Sequence, residues 1–339
     1  MPANELLEVK EFLNTPKKVF ITSHRNPDGD ALGSSLALYH YLRINGHTVS
    51  IAFPSEFPSV YKWMIGSEFI LIYDNDPEII NERIKEAELI FFLDANNLSR
   101  IDKLGEEIEK YDVPIVHIDH HMNPDTSFTY SYVDPKASST CDLVFDVLTG
   151  WEETSFIDNE VISTCLYTGI LTDTGTFSHN TNPVLFEKIS RLLQAPFDHI
   201  SIQSLVNNSL PEKNLRLLGY CLYKRLEVIP EYKTGIIFLT KSDFAKFDIQ
   251  RGDTEGIVNY ILKIKDIDIA VFFTQQPTII KISFRSLGDF NVEEIARQYF
   301  NGGGHKNASG GSHFKGLKSA MELFKEKLPE FFKKHKTNN

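Results

Sequence analysis

Short, mostly apolar runs at 19–22, 49–53, 89–93 and 115–118 punctuate the first half of the chain, and helical periodicity occupies 31–45, 77–86, 138–149 and 159–171. No other feature restricts the fold as much. Such runs read as buried strands, and strands alternating with helices build βαβ units around a mainly parallel sheet. The expected fold class is α/β, with an N-terminal domain over residues 1–195 in which helices flank that sheet. Residues 196–225 read as a helical linker broken at Leu210-Pro211. Beyond it, strands at 235–240, 269–274 and 278–284 and helices at 253–265 and 292–300 predict a smaller C-terminal α/β domain over 226–339. Leu317, Met321, Phe324, Leu328 and Phe331 carry helical spacing that Pro329 is expected to interrupt. Lys333 to Asn339 reads as a frayed tail.

Composition narrows the class. A length of 339 residues suits two domains, and 42% hydrophobic residues suffices for packed cores. The longest apolar runs, such as Leu89-Ile90-Phe91-Phe92-Leu93, are far too short to span a membrane. The N-terminus has no signal pattern, so the expected location is cytoplasmic, with no membrane partner. A net charge of −11 argues against sequence-blind binding of long nucleic acid, long duplex DNA included, but not against a small phosphorylated substrate. Cys141, Cys165 and Cys221 lie far apart and form no CxxC pair; Cys141 and Cys165 read as small core residues rather than parts of a disulfide framework.

Polar residues gather where the strands end. His24-Arg25-Asn26-Pro27-Asp28-Gly29-Asp30 follows the run at 19–22 and leads into a helix. Pro27 and Gly29 tighten this turn, so His24, Asp28 and Asp30 can converge, and an imidazole with two carboxylates suits a divalent cation such as Mn²⁺. Equally, Asp28 or Asp30 can cap the helix and His24 can be a polar turn residue. Asp94 directly follows 89–93, Asp119-His120-His121 directly follows 115–118, and Asp173 sits in an apolar helical stretch. Each alone admits a local reading: an Asx turn, a polar loop, a helix-end residue. Together they put negative charge along one sheet edge, where burial without a cation is costly.

In this order, the segment from His24 to Ser34, then Asp94, then Asp119-His120-His121, then Asp173 resembles the four motifs of the DHH phosphoesterases. Gly302-Gly303-Gly304-His305-Lys306-Asn307-Ala308-Ser309-Gly310 resembles the glycine-rich signature of the DHH-associated domain, and Ser283-Phe284-Arg285-Ser286 its arginine strand. The resemblance covers nearly the whole chain and is strongest to the nanoRNase/pAp phosphatase (NrnA-type) group, also described as exopolyphosphatase-related. It implies an active site in a cleft between the two domains. It also implies that His24, Asp28 and Asp94 bind one Mn²⁺ and that Asp30, Asp94, His120 and Asp173 bind a second. Asp94 then bridges and His121 contacts the phosphate. Mg²⁺ or Co²⁺ also suits such donors. Two cations about 3.5–4 Å apart can activate a shared water for attack on phosphorus. His117 either orients a neighbour or is an ordinary strand residue.

The C-terminal segment has two readings of its own. Gly302, Gly303 and Gly304 can let backbone N–H groups approach an anion, with His305 and Arg285 adding charge-assisted hydrogen bonds; or the glycines can form a loop ending a helix near Phe300, with Arg285 in a surface ion pair. The resemblance favours substrate binding by Arg285, Gly303, Gly304 and His305. The expected activity is hydrolysis of short oligoribonucleotides to mononucleotides, of 3′-phosphoadenosine 5′-phosphate to AMP, or both; a homodimer is compatible with it. The alternatives are a phosphodiesterase for linear or cyclic dinucleotides, an exopolyphosphatase or pyrophosphatase, and a non-catalytic nucleotide-binding protein. The basic Ser-Arg-Lys-Lys-Gln run of the family's pyrophosphatases is absent, and no metal-ligand position of the motifs is lost.

Overall fold

The computed structural model describes residues 3–152, 155–208, 210–250 and 252–336. The chain divides into two compact units, Met1–Ser209 and Leu210–Asn339.

The first unit carries β1 (Lys18–Ser23), β2 (Thr48–Phe53), β3 (Leu71–Ile72), β4 (Leu89–Leu93), β5 (Ile115–Asp119) and β6 (Tyr130–Val133). They form one sheet in the order β3-β2-β1-β4-β5-β6, and every adjacent pair is parallel. Its helices are α1 (Ala3–Phe12), α2 (Gly29–Ile44), α3 (Pro77–Glu86), α4 (Lys103–Ile108), α5 (Thr140–Glu152), α6 (Glu160–Asp173), α7 (Pro183–Leu192) and α8 (His199–Asn207). Alternate residues of the inner strands enter different cores. Val19, Ile21, Leu89, Phe91 and Leu93 pack with α2, α5 and α6. Phe20, Ile90 and Phe92 pack with Ile80 and Ile84 of α3 and Leu104 and Ile108 of α4. Helices on both faces are why these strands are apolar throughout rather than alternating.

The second unit contains α9 (Glu212–Tyr220), β7 (Leu226–Ile229), β8 (Thr234–Leu239), α10 (Lys241–Phe247), α11 (Ile257–Ile261), β9 (Ile269–Gln275), β10 (Ile280–Ser286), α12 (Val292–Tyr299), β11 (Gly303–His305), β12 (Ala308–His313) and α13 (Leu317–Lys336). Its sheet runs β11-β12-β10-β9-β8-β7; only β8 and β9 pair in parallel. Within the stretch 196–225, α8 belongs to the first unit and α9 to the second.

Three expectations need correction. The helix expected over 253–265 is helical only at Ile257–Ile261, because Gly252, Gly256 and Asp266 take left-handed backbone and break it. The helix with Pro329 is not interrupted: α13 runs through it. Phe324 and Leu328 before the proline and Phe331 and Phe332 after it are buried in one core. Burial is worth about 1.5–3 kcal/mol per side chain, against about 3 kcal/mol for an internal proline. Lys333–Lys336 belongs to the same helix, and residues 337–339 lie outside the described residues.

Candidate active site

The strand order reverses between β1 and β4, the crevice where open parallel sheets receive ligands at their carboxyl ends. β1 delivers His24 there, β4 delivers Asp94, and β5 ends in Asp119, followed by His120 and His121. Asp28 caps α2, its Oδ1 accepting from the backbone N–H groups of Asp30 (3.0 Å) and Ala31 (3.1 Å). Asp30 thus falls in the first turn of α2, and Asp173 is the last residue of α6. Asp28 therefore caps the helix and also lies beside His24 and Asp94.

All six expected ligands come together. His24, Asp28 and Asp94 each offer one ligand atom within 4.8 Å of the others, and so do Asp30, His120 and Asp173; Asp94, His120 and His121 form a third such group. Asp94 faces two ways. Its Oδ2 lies 3.3 Å from His24 Nε2. Its Oδ1 lies 3.6 Å from His120 Nε2, which is also 3.6 Å from Asp173 Oδ2. Asp94 holds left-handed backbone (φ +57°), which costs of order 1–3 kcal/mol in a non-glycine residue and needs surrounding structure to maintain it. Its N–H donates to the Ile118 carbonyl at 3.0 Å.

Of the supporting residues, the sequence pointed to Asp119 and His117 but not to Thr140 or to the backbone at the start of α5. Asp119 is wholly buried, and its Oδ1 accepts from His121 Nδ1 at 2.6 Å. His117 is buried, stacks on Phe92 and hydrogen-bonds the Ala95 carbonyl at 2.8 Å, pinning the turn after Asp94. At the start of α5 the backbone N–H groups of Thr140 and Cys141 donate to Asp30 Oδ2 (2.6 Å) and Oδ1 (2.9 Å). The Thr140 hydroxyl donates to Asp94 Oδ1 at 2.9 Å. Thr140 lies 46 residues from Asp94 and 110 from Asp30, and partners so far apart leave no periodic signal.

Burial and mutual repulsion of the carboxylates dominate the electrostatics. Burial raises the Asp30 pKa, and the Asp94 charge raises it further, to about 7. Burial, then Asp30 and Asp94, lift Asp173 to about 9. Burial alone would lower His24, but the hydrogen bond to Asp94 and the charge of Asp28 carry it to about 9. Burial alone would raise Asp94, but His24, His121 and His120 hold it well below the usual carboxylate range. These carboxylates outbid the available imidazoles for positive charge, and oxygen and imidazole donors in this number suit one or more divalent first-row cations. The residues present therefore fit a metal.

In the second unit the strand registers place His305, Ala308, Arg285 and Ala270 in one row across β11, β12, β10 and β9. Directly opposed residues share a sheet face, so Arg285 and His305 flank the small Ala308 on the same side. The glycine-rich segment is not a loop: Gly303 and Gly304 lie in β11 of a tight hairpin. A Cβ on Gly302 would come within 2.7 Å of the Gly311 Cα. One on Gly304, at φ +140°, would lie 2.7 Å from the Ala308 carbonyl oxygen. The close approach of the two strands demands glycine there. The Arg285 guanidinium donates to the Phe284 carbonyl at 2.9 Å, and the Glu255 carboxylate acts on it electrostatically. Burial lowers its pKa.

This chain belongs to the DHH family, the phosphoesterases its motifs resemble: residues 18–170 match the DHH family N-terminal domain and residues 233–334 the DHHA1 domain. It is similar to the crystal structure of an exopolyphosphatase-related protein from Bacteroides fragilis, with 37% identity, a TM-score of 0.95 and 98% of each chain covered. It is 28% identical to the bifunctional oligoribonuclease and PAP phosphatase NrnA of Bacillus subtilis, covering 87% of this chain and 88% of that protein. It is 26% identical to the cyclic-di-AMP phosphodiesterase PdeA of Listeria monocytogenes, covering 88% of this chain but 45% of that protein. No helix among the described residues is long and apolar enough to cross a membrane.

Proposed function

We propose that this chain is a two-metal, Mn²⁺-dependent phosphoesterase acting in the cytoplasm. It hydrolyses short oligoribonucleotides to mononucleotides and 3′-phosphoadenosine 5′-phosphate to AMP. The observation that carries the reading is the two-sided Asp94 carboxylate between two donor groups, in a chain similar to NrnA over most of both lengths. His24, Asp28 and Asp94 would hold one cation, and Asp30, His120 and Asp173, with Asp94 shared, would hold the other. Bound cations of this kind supply Lewis acidity toward phosphoryl oxygens and an activated water. His121, oriented through Nδ1 by Asp119, is the imidazole that contacts a phosphoryl oxygen of the substrate. Arg285, in one row with His305 across the sheet, joins it and the Gly303 and Gly304 backbone in binding the nucleotide.

The test is one Mn²⁺ assay panel of a ribodinucleotide, 3′-phosphoadenosine 5′-phosphate, cyclic di-AMP, pyrophosphate and polyphosphate. The expected result is turnover of the first two above the rest, lost in EDTA and restored by Mn²⁺. Preference for cyclic di-AMP would favour the PdeA-like reading. Preference for pyrophosphate or polyphosphate would leave the metal site but remove the roles given to Arg285 and His305. Tight binding without product would make the chain a nucleotide-binding protein.

A further inference from the structure

The start of α5 is built in an unusual way. Its capping is done without Thr140: Ser139 Oγ accepts from the Asp142 backbone N–H at 3.1 Å, and Asp142 Oδ2 accepts from the Ser138 backbone N–H at 3.0 Å. Ser139 thus caps the Asp142 N–H, while Asp142 ties down the residue before Ser139. The Thr140 hydroxyl is therefore free of capping and is spent elsewhere, on Asp94 Oδ1. The two backbone N–H groups beside it each occupy one oxygen of Asp30. One helix start thus makes three hydrogen bonds to two carboxylates that come from a strand end and from a different helix. Thr140 and Cys141 are wholly buried and Asp30 and Asp94 nearly so, so no solvent competes with these bonds.

We infer that Thr140 is a positioning residue that sets the bridging geometry of Asp94. A carboxylate on one side-chain bond can rotate until both oxygens face the same neighbour. The Thr140 hydroxyl takes one lone pair of Oδ1 and so fixes the rotation at which Oδ2 meets His24 and Oδ1 meets His120. Asp30, pinned through both oxygens by amides, lies on the Oδ1 side of the site with His120 and Asp173. The hydroxyl thereby biases the site toward holding two cations rather than one. This rests on the metal reading above, and the test separates the two.

Thr140→Val removes the hydroxyl while keeping the amides, the β-branch and the volume; Thr140→Ser keeps the hydroxyl. Mn²⁺ binding to the full chain without substrate is measured by calorimetry, with electron paramagnetic resonance reporting coupling between the bound ions. The wild-type and Ser proteins are expected to bind two coupled equivalents with affinities within about threefold of each other. The Val protein is expected to lose at least about tenfold in affinity for one equivalent, to keep the other within about threefold, and to show a weakened coupling signal. A merely structural role would weaken both equivalents or only the melting temperature. If the Val protein does not fold, the comparison of Thr140→Ser with Thr140→Ala, which differ by one oxygen, carries the same expectation. Two equivalents bound alike in wild-type and hydroxyl-free proteins would overturn the role of Thr140 and leave the metal reading intact. A wild-type protein binding no Mn²⁺ would overturn both.

Discussion

Asp94 combines left-handed backbone, near-complete burial and a carboxylate whose two oxygens face different neighbours, His24 and His120. Asp94→Ala is expected to bring turnover of a ribodinucleotide to the buffer background and to remove both Mn²⁺ equivalents; residual tight binding of two would refute the bridging role. Asp119 acts one step back. Asp119→Ala leaves His121 without its acceptor, and kcat is expected to fall about 10–100-fold. Asp119→Asn keeps a carbonyl acceptor and is expected to fall less. A separate residue sets a pH limit on the second unit. Burial alone would raise Asp243, but hydrogen bonds from Arg225, the Thr240 backbone N–H and the Tyr220 hydroxyl hold it at about 2, below its ordinary 3.8. A depressed carboxylate stabilises the fold above its unfolded pKa. The contribution, about 2 kcal/mol, is full above about pH 4 and lost as pH falls toward 2. Thermal midpoints of Asp243→Asn should accordingly fall less over that window than those of the wild type. The donors were readable in the sequence because each sits where a patterned element ends. Thr140 was not, because its partners arrive from other elements.

Between elements, α2 and α6 touch through glycine. A Cβ on Gly33 would lie 2.5 Å from the Cys165 carbonyl oxygen, and one on Gly169 would press on Cys141 Sγ and lie 2.9 Å from Asp30 Oδ1. This contact sets the distance between Asp30 on α2 and Asp173 at the end of α6. Gly169→Ala is therefore expected to destabilise by about 1–3 kcal/mol through overpacking, read as a lower melting temperature, and to weaken Mn²⁺ binding in the same protein. Unchanged metal affinity would mean that the seam is packing alone. In α13 the proline is tolerated rather than favoured, so Pro329→Ala is expected to raise stability by up to about 3 kcal/mol. The apolar strands and long helices could be read from periodicity. The short strands β3, β6, β7, β11 and β12 could not, since two to six residues with glycine or polar side chains carry too little pattern against their neighbours.

At the scale of the molecule, the first unit gathers carboxylates and imidazoles and the second sets Arg285 and His305 in one row across its sheet. Arg285→Ala is expected to raise KM for oligoribonucleotide and 3′-phosphoadenosine 5′-phosphate while sparing hydrolysis of a small generic phosphodiester; equal loss on both would end that division of labour. Strand ends and apolar runs are local properties, so composition and spacing alone establish an α/β chain with two sheets and name the residues at the carboxyl edge. The side of Asp94 that meets each partner, the helix start that holds it, the glycine contact between α2 and α6 and the conversion of a glycine run into a hairpin are settled by packing between segments distant in sequence. Those choices depend on interatomic distances between elements, and a chain read residue by residue contains no such distances.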